Sequence, residues 1–283
     1  MIGQYLKAEA LKHKHTSMLK LLILMPVVCA MLAAVLTHVF FAVDGYNWWY
    51  MGMYPGLIAL SCGMLVGKEK KMKNRAILAL PCDMGRIWDA KVLYGILVSG
   101  AAMVLLMILV IGIAFLLEHV LNVTFIIRPS LFSQLEAGVL LWLSFGWQIP
   151  WCLLLAQRFG RTVMLLLHVI LCTVMAIFLS LSPIYMLFPG AIGARMMCPV
   201  LGILPNGLPA QSGEMTFAPR LMDSSSIPIG MVASVIWFLL LWGVDVYKRQ
   251  SKHFSPCKCT TRNFSRRSLW GRLFCKYLEN EKY

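Results

Sequence analysis

Few residues in this chain have the type and spacing that chemistry needs. The nearest approach to a phosphate-cradling loop is GMLVGKEK, from Gly63 to Lys70. It lacks the full G-x-x-x-x-G-K spacing and the Ser or Thr that would follow it to hold Mg. No H-E-x-x-H, adjacent Glu pair or G-x-S-x-G occurs, so neither a zinc protease nor a serine hydrolase is implied. Cys257 and Cys259 form a C-x-C pair with no second pair of ligands at zinc-finger spacing, and no metal site is expected there. His38, His168 and Gln148 stand isolated inside apolar runs, while Glu118, His119 and Glu136 lie near run ends. An ion-coupled carrier would keep a relay of titratable groups between them, so secondary transport is disfavoured. Ser61, Ser99 and Ser144 read as small polar residues that let helices approach or bond across an interface. The chain is not expected to be an enzyme, and any energy it uses must come from elsewhere.

The elements that hold these residues are membrane elements. Of the 283 residues 59% are hydrophobic and only 13% charged, against roughly 25% charged in soluble domains, and mean hydropathy is +0.74. The formal net charge of +14 would suggest nucleic acid in a soluble protein. Here most basic residues flank apolar runs, where they mark the cytoplasmic side of a membrane, and no nucleic acid is expected. Of the nine cysteines, Cys29, Cys62, Cys152 and Cys172 fall inside apolar runs as small buried hydrophobes, and no disulfide framework is implied.

A helix needs about 20 apolar residues to cross the hydrocarbon. Six runs reach that length, at about 19–43, 48–67, 92–117, 135–157, 162–182 and 227–247. The first is too long for a signal-peptide core, has no small-residue cleavage pattern after it, and is expected to be retained. Lys7, Lys12, Lys14 and Lys20 precede the first run; a basic segment follows the second; Arg158 and Arg161 separate the fourth from the fifth. The alternate connections, at Asp44 to Asn47, around Arg128 and from Pro183 to Ser226, carry few basic residues. Both termini are therefore expected in the cytoplasm of a multi-pass protein of the cell membrane. Trp48, Trp49 and Tyr50 open the second run as headgroup-level aromatics would. Trp142, Trp147 and Trp151 line the fourth, and for Trp147 and Trp151 packing against a neighbouring span is the stronger reading.

The connection from Lys68 to Lys91, KEKKMKNRAILALPCDMGRIWDAK, gathers seven of the 26 basic residues. Ile77, Leu78 and Leu80 can lie in the interface plane while Lys and Arg face anionic headgroups, which would make the segment a surface tether. Pro81 biases Leu80 away from helix and leaves two short elements with a bend, and Trp88 beside Arg86 has the composition of an interface anchor for a soluble partner. Residue chemistry leaves tether and docking surface both open. Ile2 to His15, with Ile2, Tyr5 and Leu6 on one side and Glu9, Lys12 and Lys14 elsewhere, reads as an interfacial helix before the first span.

Several stretches in order resemble the permease subunits of lantibiotic-immunity (lantibiotic-protection) ABC transporters, within the broader ABC-2 type of exporter membrane domain. They are YLKAEALKHKHTSMLKL, YNWWYMGMYPGLIALSCGMLVGKEKKMKNRAILALP, IWDAKVLYGILVSG and ARMMCPVLGILPNGLP. The resemblance covers residues 1–244 and implies an all-α fold with six transmembrane helices. It also implies an interfacial helix at 1–18, and a coupling loop at 68–91 that meets a separate ABC ATPase subunit through Lys68, Glu69, Arg75, Leu80, Pro81, Arg86, Trp88 and Lys91. ATP and Mg would enter through that partner, and a second permease subunit, the same or a similar chain, would complete the exporter. The implied cargo is a lantibiotic-type antimicrobial peptide taken from the membrane, giving immunity or resistance. The alternatives are another hydrophobic substrate such as a bacitracin-like antibiotic, or a peptide-binding immunity protein that transports nothing. The substrate-binding residues stay unknown.

In the stretch from Arg195 to Pro209, Pro199, Pro205 and Pro209 with Gly202 and Gly207 are expected to prevent a long helix. They leave a loop on the outer surface, either a peptide contact or, more simply, a cap over the helices. Few acids face that side, mainly Glu118, Glu136, Glu214 and Asp223, so strong electrostatic capture of a cationic peptide is not expected. The peptide DVYKRQ at Asp245 to Gln250 is what one frame of a transposon-end sequencing adapter encodes. Residues 245–283 are accordingly expected to be a non-native or disordered basic tail.

Overall fold

Apolar side chains recur without a polar face over most of this sequence, and the backbone answers as helix, which satisfies its own N–H and C=O groups where no water can. The computed structural model describes the backbone of residues 2–14, 16–71 and 84–253, and the side chains of residues 2–14, 16–67 and 85–244. Residues Met1–Val246 form one unit; of the other, Tyr247–Tyr283, only the end of the last helix is described. The described elements are α1 (Ile2–His13), α2 (Ser17–Leu36), α3 (Phe41–Trp48), α4 (Tyr54–Lys71), α5 (Met84–His119), α6 (Leu131–Ser144), α7 (Gln148–Phe159), α8 (Arg161–Val174), α9 (Pro189–Leu201) and α10 (Ser226–His253). No β-strand occurs among the described residues, only an isolated bridge between Ile203 and Pro209.

Six stretches are long and apolar enough to cross a membrane: Ser17–Leu36, His38–Gly67, Gly85–His119, Leu131–Phe159, Arg161–Leu179 and Ser226–Val244. Three features depart from the sequence reading. The Asp44–Asn47 connection does not exist. Those residues lie in α3, buried, and the chain turns earlier, through the short 3-10 turn His38–Phe40. Second, Trp49 and Tyr50 are not headgroup-level aromatics but centre the core, where Trp49 stacks on Tyr54 (5.1 Å) and Tyr54 on Phe145 (5.3 Å). Aromatic rings fill space between closely packed helices as readily as they mark an interface. Third, the fourth span breaks at Phe145–Trp147 into α6 and α7.

Small residues set the spacing. A Cβ on Gly95 would meet Ile149 at 2.8 Å and one on Gly100 would meet Trp142 at 2.9 Å, so α5 lies against the fourth span without side chains between them. Trp142 Nε1 donates to the Ile96 carbonyl at 3.1 Å across the same seam. Ser99 and Ser144 spend their hydroxyls on their own helices, donating to Ile96 and Leu141, and act as space-savers. The π-helical segment Trp49–Met53 presents the Met51 carbonyl to Thr173, whose hydroxyl donates to it at 2.9 Å. Such a widened turn frees a carbonyl for a neighbouring span.

The stretch expected to be an outer loop is instead organised around α9. Pro189 opens it at a position where a missing N–H costs nothing, and Gly202 (φ 67°) ends it in the left-handed conformation. Every residue from Pro189 to Cys198 is buried, against α6 and the segment Met175–Leu179. Pro199 does not prevent the helix, which runs on past it to Leu201 before Gly202 ends it. The loop expected on the surface is therefore a helix inserted into the bundle.

Candidate functional site

The two ends of the bundle differ in what they hold. At the end where α1, the last turns of α4 and the α7–α8 junction lie, α1 packs on the first turns of α5. The face it turns inward carries the expected Leu6, with Ala10, and also two titratable groups. Glu9 and His13, four residues apart and so on one face, are 2% and 1% exposed. Glu9 Oε1 accepts from Lys12 Nζ at 2.7 Å, its Oε2 lies 4.0 Å from His13 Nε2, and the His13 ring stacks on Tyr94 at 5.9 Å. A buried carboxylate is tolerable when paired, and Lys12 supplies the pair from the rim. The i, i+4 spacing of Glu9 and His13 is the sequence signal for this face, although charge on an interfacial helix ordinarily faces water.

Of the residues assigned to partner coupling, three have described side chains. Arg86 is exposed. Trp88 and Lys91 are each 2% exposed, Trp88 within the main core cluster. Lys68 and Glu69 lie in the last turns of α4 by backbone, but their side chains, and all of Arg75, Leu80 and Pro81, lie outside the described residues. Asp89 accepts from Trp242 Nε1 at 3.1 Å and so ties the base of α5 to α10.

Midway along the bundle, His168 and Gln148 are not isolated. His168 Nε2 stands 3.1 Å from Gln148 Oε1, with Cys172 Sγ at 3.7 Å and Trp147 edge-on at 6.1 Å. Both side chains are fully buried, one on α8 and one on α7, and they bond across the seam between these helices. Twenty residues separate them, so no local spacing could show the pairing. The four cysteines expected to be buried are so, and free. Among the described residues no His, Cys, Asp and Glu converge as a metal site.

At the opposite end, Arg195 of α9 is 5% exposed, where a loop arginine was expected. Its Nη2 donates to the Arg220 carbonyl at 2.6 Å and its guanidinium stands 5.3 Å over the Tyr185 ring. Burial pulls the Arg195 guanidinium below its usual pKa and pushes the Tyr185 phenol up. Asp223 nearby is held below the usual carboxylate range chiefly by the Ser225 N–H (3.0 Å) and hydroxyl (2.7 Å) that donate to it. Gly207 (φ 85°) closes over Asn47, whose Nδ2 would lie 2.9 Å from a Cβ there, with Asp44 Oδ1 at 3.7 Å. Compared with protein-family models, curated proteins and solved structures, the chain matches none.

Proposed function

We propose that the chain is the membrane-spanning permease subunit of an ABC exporter that removes a lantibiotic-type antimicrobial peptide from the cell membrane, powered by a separate ATPase subunit. The observation that carries this reading is the platform at the basic end. There α1 is fixed to the base of α5 by buried Glu9 and His13, and Trp88 in the first turns of α5 is buried in the main core. A soluble partner that changes shape needs a stiff surface to push on, and a freely floating interfacial helix would give none. In this reading the partner meets the exposed rim of α1, Arg86 and the basic connection, while Trp88 and Lys91 support that surface from inside. The Asp89–Trp242 hydrogen bond then passes a push on α5 to α10, on the far side of the sequence.

The stretches that resemble ABC-2 permeases supply the cargo class, and the basic connections supply the orientation, with both termini cytoplasmic. ATP and Mg are held by the partner, and a second permease subunit completes the path. The test is peptide tolerance in a sensitive cell expressing the full chain with its neighbouring ATPase, without it, or with a catalytically dead form. Protection only with the active ATPase is expected. Equal protection without hydrolysis would replace this reading with a peptide-binding immunity protein.

A further inference from the structure

The C-terminal turn of α5, the connection after it and the first turn of α6 enclose a cleft of about 420 Å³. Phe115, Phe125 and Leu131 form apolar wall, and Glu118, Arg128 and Gln134 line it as polar groups. A second cleft of about 430 Å³ shares Glu118, Phe125 and Arg128 with the first. Between the two, Arg128 Nη1 and Glu118 Oε1 stand 2.7 Å apart, the arginine largely exposed at the rim. His119 is turned to the wall, its ring stacked on Phe115 at 4.1 Å and its Nδ1 3.0 Å from the Phe115 carbonyl.

The deepest polar group is Gln134, 8% exposed. Its Nε2 donates to the Pro129 carbonyl at 3.3 Å, which fixes the amide and leaves Oε1 buried with no donor from the protein. A buried acceptor in that position is costly unless a ligand donates to it. The cleft therefore offers a guanidinium, a carboxylate and a buried carbonyl acceptor within one small volume, with no net charge. Around its mouth Phe115, Leu116, Leu131 and Phe132 are all more than half exposed, at the level where spans end and headgroups begin.

We propose that this cleft binds a phospholipid with a phosphoethanolamine headgroup, its phosphate on Arg128, its primary ammonium on Glu118 and Gln134 Oε1, and its acyl chains along the apolar rim. Arginine meets a phosphate in fork geometry, and a primary ammonium brings three N–H donors to two acceptors. A purely anionic headgroup would satisfy Arg128 and leave Glu118 repelling it. Phosphocholine is the nearest competitor, because Phe115 and Phe125 attract any cation by their faces, but it has no N–H for Gln134. The site does not rest on the permease reading, and lipid bound there would wedge the α5–α6 junction at the end opposite the platform.

The full chain is reconstituted in nanodiscs holding equal parts of phosphoethanolamine, phosphocholine and phosphoglycerol lipids with the same acyl chains, then released and weighed intact by native mass spectrometry. Retention of the phosphoethanolamine lipid about tenfold over phosphocholine is expected, since a charge-assisted hydrogen bond distinguishes them. Gln134→Leu and Glu118→Gln should each bring the ratio close to one, while Val104→Ala on the exposed middle of α5 leaves it unchanged. On the unaltered chain, stepwise N-methylation of the ethanolamine should lower retention at each methyl. Equal retention of the two zwitterionic lipids, a preference for phosphoglycerol, or a methylation series without slope would each overturn the site.

Discussion

The second and fourth spans and the fifth and sixth follow opposite logics. The second and fourth are the least hydropathic of the six, and they are the ones the protein buries, over 67% and 56% of their spanning windows. The fifth and sixth are more apolar, yet only 22% and 11% of theirs is buried. In water the most apolar helix goes inside; in lipid, apolar side chains are already solvated and gain little from burial. What is gathered inside is what lipid cannot satisfy: Asp44 and Asn47 on the second span, Gln134, Ser144 and Gln148 on the fourth, with glycines that admit close approach. Across these two pairs of helices, high hydropathy goes with exposure rather than burial, the order expected of helices in a bilayer.

The largest effect that could break this contrast is a charge on the sixth span. Ile236, 52% exposed near its middle, should cost about 3 kcal/mol of insertion when changed to Lys. A glycosylation-reporter assay that found under about 1 kcal/mol would mean this face is covered by protein.

Glycines sharpen the contrast at the next level. A Cβ on Gly193 would collide with the Phe145 ring, whereas one on Gly112 meets nothing within 4 Å. Gly193→Val should therefore lower stability by roughly 1–3 kcal/mol in detergent unfolding, and Gly112→Val should stay within about 0.5 kcal/mol. Similar losses at both sites would end the distinction between buried and lipid-facing helix.

The smallest expected effect is the coupling between Gln148 and His168. A double-mutant cycle with Gln148→Leu and His168→Leu should give about 0.6 kcal/mol, and up to about 1.7 kcal/mol if the pair is unusually well placed. Zero coupling would show that the bond across the α7–α8 seam adds nothing to packing.

The number of membrane-length helices was legible because each run of apolar residues must reach about 20 to cross, a constraint that one sequence displays. Their ends were less so. The second span starts ten residues earlier than expected, because FAVDGYN, with an acid and a glycine, reads as a turn when its neighbours are unseen. α9 was hidden for a related reason: prolines and glycines ordinarily punctuate a chain, while here Pro189 opens the helix, Pro199 is carried inside it and Gly202 caps it. The platform was half legible. The expectation of a helix before the first span agrees with α1, but which face it buries depends on Tyr94, which the local sequence of α1 does not contain. The Gln148–His168 pair and the Arg195–Tyr185 contact needed the fold, because no spacing rule spans helices joined by a tight turn or a buried segment.

The position of Gly207 over Asn47 and Asp44 also sets an order of events during synthesis. A ribosome delivers the second span more than half the chain before it delivers Gly207, so a carboxylate and an amide enter the bilayer region long before their lid exists. Until α9 has threaded into place behind them, the half-made protein carries a polar wound on its second span that quality-control proteases and insertion chaperones can read. Closing that loop therefore comes late, with only α10 still to follow, and nascent chains arrested before residue 207 should be degraded faster than chains arrested just after it.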